Sequence, residues 1–265
     1  MFVDRFLDWA NSGLLEDDDA QAYLRGRGIS SEQWSKHRLG FVHGDFEVDP
    51  GEDPAHCSDC GDRDKKHLWC DVCRFRSWSS VWEAQEDGPK VQRVGRRIRG
   101  CVVFPLTSYS GATVGFQVRS IREKSYDTFA VRRRPEGYFF GTASAMESIW
   151  ATKEVFIVEG PGDSLILDRL VAPNVLALTT SAVNKQQVQF LRRFVHTVNL
   201  CLDLDRAGRD GVASFIKYNG EGFRVRDVKY PRIVPDKDKD PGDYWKKVGD
   251  QRFSEYFRKN VLSTF

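Results

Sequence analysis

Short apolar runs alternate with longer amphipathic segments along the second half of the chain. The runs at 155–158, 175–178 and 198–202 are mostly apolar, which is typical of strands that are buried on both faces of a sheet. A fourth strand is predicted at 223–229. The helical spacing of apolar positions predicts helices at 164–171, 185–194 and 208–218. This alternation predicts an α/β domain with a mostly parallel sheet that is covered by helices.

The first half of the chain has a different pattern. Residues 1–40 predict short helices, and the acidic, proline-containing stretch 45–54 predicts a loop. Two apolar runs, 102–106 and 114–118, flank a turn that contains Gly111. These runs predict a β-hairpin, so this half has mixed α+β character.

These patterns divide the chain into consecutive segments. The predicted segments are a helical N-terminal part (1–54), a cysteine-rich insertion (55–85), a basic α+β remainder of the N-terminal subdomain (86–150), the α/β domain (151–235), and an acidic loop with helices (236–265).

Composition narrows the class of protein. The chain has 265 residues, a formal net charge of +2 and no apolar run long enough to span a bilayer. The N-terminus contains acidic residues and lacks the basic leader of a secretory signal, so we expect a cytoplasmic protein with no membrane partner. Basic residues concentrate between positions 90 and 134, which makes this segment a candidate surface for a polyanion. The alternative is a solvated charged face.

A cysteine cluster predicts a metal site. Cys57, Cys60, Cys70 and Cys73 form two CxxC pairs at close separation. Four thiolates complete a closed tetrahedral site for one structural Zn²⁺ ion; a pair of redox dithiols is the alternative. Arginine and tryptophan residues follow the cluster. They suit contacts with a single-stranded nucleic acid, although they could equally form the small core of a zinc ribbon.

Acidic residues follow two of the predicted strands. Glu159 comes directly after the first strand, and Asp203 and Asp205 come after the third. Because ligand sites of parallel α/β sheets form at the carboxyl ends of the strands, we expect these side chains to converge. Residues two apart on an extended segment face the same way, so both aspartates can address one cation. Carboxylate oxygens suit Mg²⁺ or Mn²⁺.

Further acidic residues extend this candidate site. Asp163 lies shortly after Glu159, and the acidic run 236–243 adds Asp240 and Asp243. The alternative interpretation is that all of these residues are helix N-caps and surface charges. One such acid would carry no weight, but the combination after two strands favours a metal site.

The motif resembles a known family. The acidic residues within 159–163 and 203–210 resemble the Toprim domain of primases, topoisomerases, some nucleases and recombination proteins, and the second segment looks like the version in DnaG-type DNA primases. Segments 23–29, 103–119 and 138–141 resemble, in order, upstream parts of the same primases. The resemblance implies a Toprim α/β core with an N-terminal α+β subdomain, which here contains an inserted zinc ribbon.

The resemblance also implies a reaction. A DnaG-type catalytic core synthesises short RNA primers on single-stranded DNA by nucleotidyl transfer that depends on Mg²⁺ or Mn²⁺. Glu159, Asp203 and Asp205 would be the catalytic metal ligands, and Asp163 and Asp240 would assist. The basic residues that would lie near template and nucleotide are Arg97, Arg99, Arg119 and Lys124. The implied partners are a single-stranded DNA template, ribonucleoside triphosphates and a replicative helicase.

The chain departs from the family pattern at several points. Its cysteine module lies inside the first subdomain, whereas DnaG-type primases carry theirs before the catalytic core. Lys124 matches a family lysine only loosely, and Gly242 stands where an aspartate is common, so Asp243 is the expected substitute. No helicase-binding region follows Phe265, which suggests a viral or mobile-element primase, or a fragment.

Two other functions use the same motif. A Toprim nuclease would use the same acids, with Glu159 as general base, and would need no nucleotide pocket. A recombination mediator would combine a zinc module with a Toprim domain and form no product. The primase-like segment between residues 102 and 119 favours the primase.

Overall fold

The computed structural model describes residues 2–48, 75–76, 81–85, 88–123, 125–130, 139–179, 183–219, 222–233 and 239–262. The chain forms two compact units. The N-terminal unit comprises Met1–Arg25, Ser31–Leu106 and Ala112–Arg133. The C-terminal unit comprises Gly26–Ser30, Thr107–Gly111 and Arg134–Phe265.

Helices form the start of the chain, as predicted. They are α1 (Phe2–Glu16), α2 (Asp18–Gly26) and α3 (Ser31–Lys36). Helix α1 is longer than the short helices expected here, because one of its faces is apolar over its whole length. Its Phe6 ring packs 5.2 Å from Phe116 and 5.8 Å from Phe46, measured between ring centroids. The aromatic side chains of α1 are therefore part of the core of the N-terminal unit.

Two antiparallel sheets complete the described part of the N-terminal unit. The first has the order β1 (Gly40–Phe41), β5 (Cys101–Thr107), β6 (Thr113–Ser120) and β7 (Tyr126–Ala130). The second has the order β2 (Phe46–Glu47), β4 (Gly88–Val94) and β3 (Val81–Gln85). Strands β5 and β6 are the predicted hairpin, and Gly111 in their connection has φ +83°, a conformation that glycine adopts readily.

The C-terminal unit alternates strands and helices, as the sequence pattern predicts. Its elements are β8 (Phe139–Phe140), α4 (Thr142–Thr152), β9 (Glu154–Val158), α5 (Pro161–Leu170), β10 (Val175–Leu178), α6 (Lys185–Leu191), β11 (Thr197–Leu200), α7 (Arg206–Asn219), β12 (Arg224–Asp227) and α8 (Pro241–Phe257). A π-helical turn, Arg258–Leu262, follows α8.

A mostly parallel sheet lies at the centre of the C-terminal unit. In the described residues its strand order is β12-β11-β9-β10-β8. The first four strands are parallel, and β8 pairs antiparallel with β10. Strands β9 and β10 are buried at every position, because helices cover the sheet. None of the helices in the described ranges is both long enough and apolar enough to cross a bilayer.

Candidate active site

The first two predicted site residues meet at the carboxyl ends of adjacent strands. Strands β9 and β11 are parallel neighbours in which Ile157 pairs with Leu200. Glu159 follows β9 directly, and Asp203 follows β11 after a short extension. The backbone N–H of Asp203 donates a hydrogen bond to Oε1 of Glu159 at 3.1 Å. The two carboxylates therefore share one edge of the sheet.

Asp205 caps the helix that leaves this edge. It precedes α7, and its Oδ1 accepts a hydrogen bond of 3.1 Å from the backbone N–H of Gly208. A Cβ atom on Gly208 would lie 1.8 Å from the carbonyl oxygen of Asp203. Only glycine permits this approach, because it has no Cβ atom. The motif therefore requires a glycine at position 208, where the start of α7 lies against the backbone of Asp203.

Asp163 and Asp240 lie where two further helices begin. Asp163 is in the first turn of α5, and its Oδ1 accepts a 3.0 Å hydrogen bond from the backbone N–H of Gly242. Asp240 is the N-cap of α8 and accepts from the N–H of Asp243 at 2.6 Å. The starts of α5 and α8 are therefore joined through a side chain of the candidate site.

Asp243, the expected substitute for a family aspartate, takes part in helix capping. Its Oδ2 accepts a hydrogen bond of 3.4 Å from the backbone N–H of Lys239. At the family position itself, a Cβ atom on Gly242 would lie 2.9 Å from Oδ1 of Asp163 and 3.3 Å from Oδ1 of Asp240. A side chain at position 242 would therefore crowd the carboxylate of Asp163.

Lys239 is a site residue that the sequence analysis missed. Its Nζ lies 3.1 Å from Oδ2 of Asp205 and 3.9 Å from Oδ2 of Asp203. The signal was present in the sequence, because a lysine directly precedes Asp240 within the acidic run.

Tyr230 fixes the backbone of Lys239 against the strand-end loop. Its hydroxyl lies 2.6 Å from the carbonyl oxygen of Lys239 and 3.1 Å from that of Leu202, so it can donate its proton to either. The N–H of Leu204 also donates to the Lys239 carbonyl at 2.7 Å. Tyr230 is buried, with 4% of its surface exposed. The position of Lys239 is therefore set by hydrogen bonds made at its backbone.

The carboxylates of the site have perturbed pKa values. Burial, and after it the neighbouring carboxylates of Glu159, Asp163 and Asp240, together raise the pKa of Asp203 to about 8. Burial is also the main cause of the raised pKa values of Glu159 and Asp240. The pKa of Asp205 is instead lowered, first by the hydrogen bond from Gly208 and then by Lys239. Asp203 is thus the site residue whose negative charge most requires a neighbouring cation.

The donor atoms suit a hard divalent cation. Among the residues that the structure describes, no three Asp, Glu, His or Cys side chains are grouped so that they could hold an ion as they stand. However, carboxylates from two strand ends converge here, and the Lys239 ammonium group already lies against two of them. Oxygen donors and a position favourable to positive charge fit Mg²⁺ or Mn²⁺, provided that side chains rearrange.

The basic residues that the resemblance singles out lie in the N-terminal unit. Arg97 is exposed in the 3-10 turn Arg96–Ile98. Arg99 forms an ion pair of 3.1 Å with Asp45, and the guanidinium of Arg119 lies 4.6 Å from the centre of the Tyr126 ring. Lys124, the fourth of these basic residues, lies outside the described ranges. The predicted zinc ligands also lie outside them; they are Cys57, Cys60, Cys70 and Cys73.

Comparison with known protein families identifies a Toprim-like segment in this chain. Residues 156–245 match a family model described as Toprim-like. This segment contains the last three residues of β9, the whole of β11 and the acidic residues described above.

Relatives match over nearly the whole chain. The DNA primase of Pasteurella multocida is 24% identical over 269 residues, which cover 95% of this chain and 41% of that protein. The chain therefore spans about two fifths of the length of that curated relative.

Solved primase structures share the fold. The Aquifex aeolicus primase, solved with its zinc-binding and RNA polymerase domains, has a TM-score of 0.69 at 22% identity, covering 98% of this chain and 64% of that one. A DnaG primase catalytic domain bound to single-stranded DNA has a TM-score of 0.67 at 20% identity, covering 97% and 77%. The predicted resemblance to DnaG-type catalytic cores is confirmed, and so is the Toprim-type α/β fold.

Proposed function

We propose that this chain is the catalytic core of a DNA primase that synthesises short RNA primers on single-stranded DNA. One observation carries the proposal: acidic side chains converge at the carboxyl ends of β9 and β11, within a chain that aligns with DNA primases over nearly its whole length. Sites in parallel α/β sheets form at this edge. The function proposed is divalent-metal-dependent nucleotidyl transfer.

In this proposal the acidic residues hold catalytic Mg²⁺ or Mn²⁺. Glu159, Asp203 and Asp205 are the main ligands, with Asp163 and Asp240 as supporting carboxylates. The bound ions would supply charge stabilisation at the triphosphate and lower the pKa of the attacking hydroxyl. The raised pKa of Asp203 supports this role, because a buried carboxylate among other carboxylates gains most from a bound cation.

We propose that the basic segment binds template and ribonucleoside triphosphate. Arg97, Arg99 and Arg119 are the candidate contacts, together with Lys124. Arg97 is exposed and positively charged, and Arg119 beside the Tyr126 ring offers a cation and an aromatic surface to a nucleotide. A related catalytic domain has been solved with single-stranded DNA, which supports this choice of ligand.

Salt dependence of DNA binding tests the basic segment. Arg97→Ala should weaken binding to single-stranded DNA and reduce the slope of log affinity against log salt by about 0.7 for each lost phosphate contact. Arg38→Ala is the matched control, because Arg38 lies in the same unit and pairs with Asp8. If Arg97→Ala and Arg119→Ala both bind like wild type at physiological salt, these arginines are surface charges only.

We further propose that Cys57, Cys60, Cys70 and Cys73 hold one zinc ion in a ribbon that helps to select the start of synthesis. The close CxxC spacing supports the ion, and the solved Aquifex aeolicus primase includes a zinc-binding domain. Metal analysis of the purified protein should give one zinc per chain. Deleting 57–73 should reduce initiation more than extension of a supplied primer. Equal, small losses would leave the ribbon a structural insertion.

One assay separates the primase from its rivals. The protein is incubated with single-stranded DNA, labelled ribonucleoside triphosphates and Mg²⁺ or Mn²⁺. Template-dependent short RNA supports a primase, cleaved DNA without synthesis supports a Toprim nuclease, and DNA binding with neither product supports a recombination mediator. The alignment with primases over the N-terminal unit favours the first outcome.

A further inference from the structure

A lysine ammonium lies between two carboxylates of the candidate metal site. Nζ of Lys239 is 3.1 Å from Oδ2 of Asp205 and 3.9 Å from Oδ2 of Asp203. Both aspartates are proposed metal ligands, so the ammonium lies where a bound divalent cation would need their oxygens. The positive charge of this lysine offsets the negative charge of the neighbouring carboxylates when no other cation is bound.

We infer that Lys239 is a resident counter-ion of the acidic site, which must move aside before a divalent ion binds and which thereby sets the affinity for that ion. The inference rests on the proposed metal site. It adds a competitor, supplied by the chain itself, for the same oxygens.

The backbone of Lys239 is fixed, so only its side chain can make this movement. The Tyr230 hydroxyl and the Leu204 N–H both bond to the Lys239 carbonyl, and the Lys239 N–H bonds to Asp243. These contacts keep the stem of the side chain beside the strand-end loop. The four-carbon stem of lysine has enough rotatable bonds to withdraw the ammonium without displacing the backbone.

Solvent exposure gives the side chain a route. Its exposed fraction is 45%, against 36% for Asp205 and 15% for Asp203. The lysine side chain is therefore more exposed than either of the aspartates that it pairs with. Withdrawal into water costs little for such a group, because partly exposed ion pairs contribute only modestly.

Other cations near the site do not fill the same position. Lys246 and Arg27 act on Asp240 through their charge. In the described residues, the salt bridges of Asp203 and Asp205 are made with Lys239. Lys246 is thus a nearby positive charge that is not placed between the two aspartates, and it offers a matched control.

The test measures Mn²⁺ binding without template or triphosphate. Free Mn²⁺ is followed by electron paramagnetic resonance as it is titrated into wild type, Lys239→Gln and Lys246→Gln. We expect the dissociation constant of Lys239→Gln to fall about threefold to tenfold, in the range that loss of one competing ion pair allows. Lys246→Gln should stay within about twofold of wild type.

Thermal unfolding provides a second readout. With EDTA present, Lys239→Gln should unfold at a lower temperature than wild type, because the carboxylates lose their counter-ion. Saturating Mn²⁺ should reverse that difference. Lys246→Gln should show a smaller change in both conditions.

The possible outcomes separate this inference from the proposed function. If wild type binds Mn²⁺ and Lys239→Gln binds it no more tightly, Lys239 is not a competitor, although the metal site stands. Equal tightening by Lys246→Gln would also overturn the inference, because the effect would then be general charge. Absence of saturable binding in all three proteins would overturn both the inference and the metal site.

Discussion

Asp203 is a buried carboxylate whose negative charge suits metal binding but destabilises the metal-free fold. Its ordinary pKa of 3.8 is raised to about 8, first by burial and then by neighbouring carboxylates. Below pH 4 it is protonated in both the folded and the unfolded chain. Between pH 4 and 8 the unfolded chain releases this proton while the folded chain keeps it, so the stability of the metal-free protein falls as pH rises.

Removing this charge should therefore stabilise the metal-free protein in a pH-dependent way. In EDTA at pH 8, Asp203→Asn should increase the free energy of unfolding by on the order of a few kcal/mol, and the gain should shrink towards pH 4. Denaturant titrations at both pH values measure it. Asp210→Asn is the control, because that side chain is 74% exposed. A gain of equal size at both pH values would contradict the account.

The close approach of Gly208 to the backbone of Asp203 can be tested by substitution. An alanine Cβ would lie 1.8 Å from the Asp203 carbonyl oxygen and 2.7 Å from its carbon, and backbone atoms cannot yield as a flexible side chain can. Gly208→Ala should displace the loop, destabilise the protein by about 1–3 kcal/mol and weaken Mn²⁺ binding. Gly162→Ala, whose Cβ would meet nothing within 4 Å, is the control. Equal behaviour of the two variants would show that the close approach is unimportant.

At the scale of elements, helix caps and proposed metal ligands are the same residues. Asp205 accepts from the N–H of Gly208 at the start of α7, and Asp240 accepts from that of Asp243 at the start of α8. From the sequence, helix capping and metal binding are alternative interpretations of these acidic residues. The structure shows that capping is present, and capping leaves the other carboxylate oxygen available for a second contact, as Asp205 demonstrates with Lys239. The two interpretations are therefore compatible.

Two substitutions of Asp240 separate these roles. Asparagine can still cap α8 but has no charge, whereas alanine can do neither. Asp240→Ala should be less stable than Asp240→Asn by about 1 kcal/mol, and both should bind Mn²⁺ more weakly than wild type. Thermal unfolding and Mn²⁺ titration measure the two effects. If alanine costs no stability relative to asparagine, the cap is not a stabilising contact.

The elements that could be predicted are those with a clear period or continuous burial. Strands β9, β10 and β11 were predicted to within a residue or two, because each lies in a mostly apolar run. Helix α5 begins three residues before its predicted start, since Pro161 fits the first helical turn. The two-residue strand β8 is too short to show any period, and it was missed.

At the scale of the whole molecule, the order of motifs predicted the fold but not the contacts that complete the site. Lys239 reaches Asp205 across 34 residues of chain, and Tyr230 reaches Leu202 across 28. Neither contact follows from a local pattern, because the chain must fold before the residues meet. The meeting of Glu159 and Asp203 could be predicted, because the carboxyl ends of neighbouring parallel strands lie at the same edge of a sheet. This holds for any sequence between the two strands.

In the proposed function, the carboxylates at the ends of β9 and β11 are essential for primer synthesis. The most direct measurement compares Glu159→Gln, Asp203→Asn and the exposed control Asp210→Asn in template-dependent RNA synthesis, at saturating triphosphate and metal, after circular dichroism has shown that each is folded. We expect synthesis to fall by at least about a hundredfold in the first two variants, since several kcal/mol of transition-state stabilisation disappear. Asp210→Asn should synthesise normally. Wild-type rates in Glu159→Gln or Asp203→Asn would contradict the claim.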